Sequence, residues 1–156
     1  KVLQGTLDVK SALYRETQSL EIEECYVNGI PSTVAAPGDQ VTLLGSYIQM
    51  LARGQQWGEE APLQCTECTV ELCWMGDAME PGTIEFILRR GAAERIARVD
   101  LPTRINPNDI QQITLNLSAP IDVFTERIQA KKERIILIDK TTNATVAAGI
   151  IKQINQ

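Results

Sequence analysis

Apolar residues in this chain recur at every second position, in short runs broken by Gly, Pro and Asn, while helical spacing is rare. Successive side chains of an extended strand point to opposite faces, so such runs place one face in a core and the other in water. The pattern excludes a helical bundle and predicts an all-β fold. Several short strands at regular spacing, with turn residues between them, make a sandwich or a small barrel.

The clearest runs lie in the second half. Gln64 to Trp74 alternates Cys68, Val70, Leu72 and Trp74 against Glu67, Thr69, Glu71 and Cys73. Glu80-Pro81-Gly82 then turns the chain into Thr83 to Leu88, and Arg89-Arg90-Gly91 ends that strand. Ala93 to Leu101 repeats the pattern with Ile96 and Val99 as apolar members, and Ile110 to Leu117 sets Ile113, Leu115 and Leu117 on one side. Arg134 to Asp139 and Val146 to Ile151 are nearly continuous apolar runs, the pattern of strands covered on both faces. Thr141-Thr142-Asn143-Ala144 makes the turn between them, with Asn tolerating left-handed backbone. In the first half, Val2 to Val9 alternates loosely, Leu20 and Ile22 share a face, and Pro37-Gly38-Asp39 turns into a strand over Gln40 to Leu44. Gly45 to Trp57 is a mixed connecting segment, and Trp57 to Pro62 has no periodicity. A linker there predicts two domains, 1–61 and 62–156.

Composition narrows the chemistry. The 156 residues carry 15 Lys+Arg against 20 Asp+Glu, no His and four Cys. A net charge of -5 argues against a nucleic-acid surface, which shows itself as clustered basic residues. Without His, Ser-His-Asp and Cys-His catalysis and mixed Cys/His zinc sites are excluded. No run approaches the ~18–20 apolar residues of a membrane helix, and no signal-peptide order opens the chain, so the expected location is cytoplasmic. The start at Lys1, inside an apparent strand and without Met, reads as a piece of a longer polypeptide.

The cysteines are Cys25, Cys65, Cys68 and Cys73. A structural zinc site needs two close pairs of ligands, and here there is one close pair. Buried apolar packing is the plain reading, with zinc or a redox pair as the sharper ones. No glycine-rich phosphate loop occurs. Glu23-Glu24 and Glu59-Glu60 read as solvated acids, and Arg127, Lys131, Lys132 and Arg134 as a solvated loop or a contact for an acidic partner. No catalytic, cofactor-binding or metal-ligating residue is assigned.

Together these residues resemble a known family. The run from Arg134 to Ile151, above all Thr142-Asn143-Ala144-Thr145-Val146-Ala147-Ala148-Gly149, is similar to the end of the large, GTP-binding subunit of bacterial sulfate adenylyltransferase and its fusions with adenylylsulfate kinase. Cys73-Trp74-Met75-Gly76-Asp77, followed by Pro81-Gly82, resembles the start of that family's third domain. Ala35 to Leu43, followed by Leu51-Ala52-Arg53-Gly54, resembles the end of domain two in the wider group of elongation-factor-type GTPases, while Ala12 to Gln18 departs from its usual Gly-Asp turn. The resemblance implies two small antiparallel β-barrels of the translation-factor type, the first incomplete. It also implies a non-catalytic scaffold, with GTP and magnesium held by an upstream domain and a small catalytic subunit as partner, and neither nucleic acid nor membrane. The alternative is the barrel pair of a translation GTPase that binds tRNA or a protein factor. The charge balance of 62–156, 11 basic against 12 acidic residues, speaks against an RNA surface.

Overall fold

The structure is a computed structural model that describes residues 1–3, 5–15, 18–46, 55–91 and 93–155. Its contacts divide the chain into two compact units, Lys1–Pro62 and Leu63–Gln156. The protein is all-β.

In the second unit, β7 (Leu63–Trp74), β8 (Gly82–Arg90), β9 (Ala93–Leu101), β10 (Ile110–Val123), β11 (Arg134–Asp139) and β12 (Thr145–Asn155) close into an antiparallel barrel in the order β10-β7-β12-β11-β8-β9. Closure leaves no unpaired strand edge. Inward positions follow the sequence pattern: on β7, Cys68, Val70, Leu72 and Trp74 are buried, and Glu67, Thr69, Glu71 and Cys73 are half-buried outside. Phe86 and Leu88 of β8, Leu115 of β10, Leu137 of β11 and Ile151 of β12 complete the centre. Trp74 meets Phe86 edge-on at 5.7 Å. The Pro102–Asn108 connection folds over one end, where Ile105 is fully buried and exchanges backbone hydrogen bonds with Met79.

Three details differ from the sequence reading. On β9, Ala97, Val99 and Leu101 form the buried set, because the odd spacing between Ile96 and Val99 puts them on opposite faces. On β11 and β12 the alternation persists, with Ile136, Ala148 and Ile150 half-buried outside the barrel. Between β10 and β11 lies a five-residue helix, α1 (Thr125–Gln129), in a stretch that carries no helical pattern.

The first unit holds short strands: β1 (Leu7–Asp8), β2 (Ala12–Arg15), β3 (Gln18–Val27), β4 (Ile30–Ser32), β5 (Val34–Ala35) and β6 (Val41–Gly45). They form a β1-β5 pair and a sheet in which β2, β4 and β6 all pair with β3, so the described residues make open sheets. Only Leu7–Asp8 of the predicted Val2–Val9 run pairs, whereas β2 lies in a segment read as a departure from the family pattern. Val2, Cys25 and Ala35 are buried against Leu7, Val9, Val27, Val41 and Leu43. Within the expected linker, Gly58 exchanges two backbone hydrogen bonds with Tyr14, at 2.7 and 3.1 Å. The Leu51-Ala52-Arg53-Gly54 match lies outside the described residues.

Candidate functional site

The basic cluster before β11 is where sequence and structure part most. Arg127 sits on α1, and its Nε donates to Oε1 of Glu133 at 2.9 Å while its Nη2 donates to the Lys132 carbonyl at 3.0 Å. Arg90, the last residue of β8, grips the same carboxylate with Nε to Oε2 at 2.7 Å and Nη2 to Oε1 at 2.9 Å. Glu133 is 1% exposed and Arg90 6%. The backbone carbonyl of Glu133 also accepts from Ile151 N at 2.8 Å, which ties the triad to β12. Arg127 is therefore committed inward, a correction to the solvated-loop reading, because a buried carboxylate needs cationic partners to offset its lost hydration. Lys131, Lys132 and Arg134 remain exposed.

Neither Arg90 nor Glu133 stands out in the sequence as a partner. Arg90 reads as strand punctuation, and Glu133 is one acid in a Lys-Lys-Glu-Arg run. They are 43 residues apart, and only barrel closure brings them together.

The paired carboxylates are held separately. Glu23 accepts from Ser46 Oγ at 3.0 Å, Glu24 accepts from the Tyr26 hydroxyl at 2.7 Å, and Glu59 and Glu60 are exposed. Among the described residues, no group of three or more His, Cys, Asp or Glu could hold a metal ion. Nor is any helix there long and apolar enough to cross a membrane.

Cys25, Cys65 and Cys68 are buried and Cys73 is half-buried on the outside. Cys65 and Cys68 face each other near the Arg90 end of the barrel. The hydrogen bond from Cys68, aided by the Glu67 backbone and the Arg90 charge, outweighs burial and draws the Cys65 thiol below its ordinary value. The same contact, with burial, pushes Cys68 up.

The segments that carry the family resemblance are structural joints. The Trp74 indole donates to the Asp77 carbonyl at 2.8 Å, the Trp74 carbonyl accepts from Asn108 N at 2.8 Å, and Met75 N and Gly76 N both donate to Val146 O. Cys73 to Asp77 thus fastens β7 to the Asn108 loop and to β12. In the β11–β12 turn, one oxygen of Asp139 accepts from Thr141 N, Thr142 N and Thr142 Oγ1 at 2.7–2.9 Å, bonds that hold its carboxyl below the usual range. Asn143 takes the left-handed conformation at φ 57°. At Gly149 an added Cβ would run into the Glu71 carbonyl and Leu72 Cδ2, so glycine lets β12 approach β7.

These joints are shared with known proteins. The chain is 32% identical to "Sulfate adenylyltransferase subunit 1" of Laribacter hongkongensis over 136 residues, covering 76% of this chain and 28% of that protein. The chain is similar to sulfate adenylyltransferase subunit 1. It is also 39% identical over 71 residues to "Bifunctional enzyme CysN/CysC" of Rhodopirellula baltica, covering 46% of this chain and 11% of that protein. The resemblance read from the motifs of β7 and β12 thus holds. The chain spans only 28% and 11% of the lengths of these two curated relatives. No family model matches it.

Proposed function

We propose that this chain is the non-catalytic β-barrel region of a sulfate adenylyltransferase large subunit. It acts in sulfate assimilation in the cytoplasm. GTP hydrolysis in a separate GTPase domain is coupled, through the barrels, to adenosine 5′-phosphosulfate synthesis by a small catalytic subunit. GTP and magnesium belong to that GTPase domain, and the barrels carry its nucleotide state to the partner as a rigid body.

The observation that carries this reading is the 136-residue similarity to a protein designated subunit 1. The residues that carry the resemblance, Trp74 and Gly149 among them, hold up a closed barrel and present no reacting group. A scaffold needs rigidity above all, and a closed barrel supplies it.

The test is a binding experiment with the chain immobilised and offered, in turn, the small catalytic subunit and bulk tRNA, with calorimetric titration of GTP alongside. Retention of the small subunit without GTP binding is expected. Micromolar GTP affinity would overturn the scaffold role, and retention of tRNA in place of the small subunit would move the chain to the translation GTPases.

A further inference from the structure

Cys65 and Cys68 stand three residues apart on β7, a separation of about 10 Å along a fully extended strand. Yet Cys65 Sγ donates to the Glu67 carbonyl at 3.3 Å, and the Cys68 thiol is hydrogen-bonded to Cys65. The strand is therefore bent at Thr66. The ladder with β10 is interrupted at the same place, passing from Cys65–Ile121 directly to Glu67–Asn116 and leaving residues 117–120 of β10 without partners on β7. The bend turns two fully buried thiols toward one another at the end of the barrel. The other cysteines are placed differently: Cys25 belongs to the first unit, and Cys73 lies on the outer face between Ile110 and Ala148.

We propose that Cys65 and Cys68 form an oxidisable dithiol, a modification site that closes to an intrastrand disulfide under hydrogen peroxide. Cys65 is the attacking sulfur, since the Cys68 S–H and the Arg90 guanidinium favour its thiolate. Its thiolate attacks one peroxide oxygen, the O–O bond breaks, and hydroxide leaves and takes a proton from solvent. The Cys65 sulfenic acid is then attacked by Cys68 as its proton leaves, the S–S bond forms, and the sulfenic oxygen departs as water. In sum, two thiols and one peroxide give one disulfide and two waters. From hydrogen-bonding distance to a bond of about 2 Å, the sulfurs have to approach by roughly 1.5–2 Å. The site is dry when closed, so reaction proceeds through local opening where the ladder is already interrupted, and peroxide is small enough to enter there.

The experiment treats the native protein with hydrogen peroxide, unfolds it with iodoacetamide present, and maps the cysteine peptides by mass. The expected product is a peptide holding Cys65 and Cys68, lighter by two hydrogens and restored by dithiothreitol. Full alkylation of both after peroxide, or a link from either one to Cys25 or Cys73, would overturn the proposal. In Cys68→Ser, a dimedone-trapped sulfenic acid is expected at Cys65, whereas Cys65→Ser leaves Cys68 reduced. The opposite pattern would reverse the assignment of the attacking sulfur. If these variants fail to fold, the wild-type map decides by itself.

Discussion

Glu133 lies between two guanidinium groups, with both carboxylate oxygens engaged and almost no contact with water. Such a triad contributes little over an apolar substitute of the same shape, since desolvating the ions offsets most of their attraction. Removing one member is a different matter, because it leaves uncompensated buried charge. Glu133→Ala should therefore destabilise the protein by about 3–5 kcal/mol, read as a lower midpoint in urea, whereas Lys132→Ala on the exposed surface should shift it by less than about 0.5 kcal/mol. Equal effects would mean that the triad is not held as described. At this scale the sequence is unevenly legible. Alternation along β7 puts Cys68 inside and Cys73 outside, as the structure does. It could not place Cys65 beside Cys68, because the bend at Thr66 breaks the period. Nor could it pair Arg90 with Glu133, since charge complementarity between distant residues leaves no local pattern.

Strands carry their partners' constraints as well as their own. Gly149 of β12 is opposite Leu72 of β7, and a side chain there has nowhere to go. Gly149→Ala should cost about 1–3 kcal/mol by overpacking, measured by thermal unfolding, although alanine suits an isolated strand no worse than glycine. An unchanged midpoint would mean that β12 can move off β7. The β3–β4 hairpin shows the opposite case, a local signal sufficient by itself. Asn28 and Gly29, with φ of 53° and 81°, form the two-residue turn between Val27 and Ile30, and Asn-Gly between apolar residues is the strongest short-range hairpin signal. The sequence reading passed over it. The helix α1 had no such signal: it is a single turn, its start lacks a side-chain cap, and Arg127 is held by Glu133 rather than by helical periodicity.

At the scale of the whole molecule, closure is what distinguishes the two units. Every strand of the Leu63–Gln156 barrel has neighbours on both sides, and its core is drawn from its own strands. A chain restricted to 63–156 is expected to fold alone, with a β-type circular dichroism spectrum and one cooperative unfolding transition. A disordered spectrum would show that the barrel needs residues 1–62. The sequence by itself determined that this protein is all-β, which positions of β7, β8 and β10 face a core, and where the turns at Gly38, Gly82 and Asn143 fall. These follow from a period of two and from backbone preferences, both local properties. Tertiary structure alone decided the strand order of the barrel, the Arg90–Glu133–Arg127 triad, the meeting of Cys65 with Cys68 and the need for glycine at 149. Each of these depends on which strands lie side by side, and pairing over long separations is set by the packing of the whole core rather than by any run of residues.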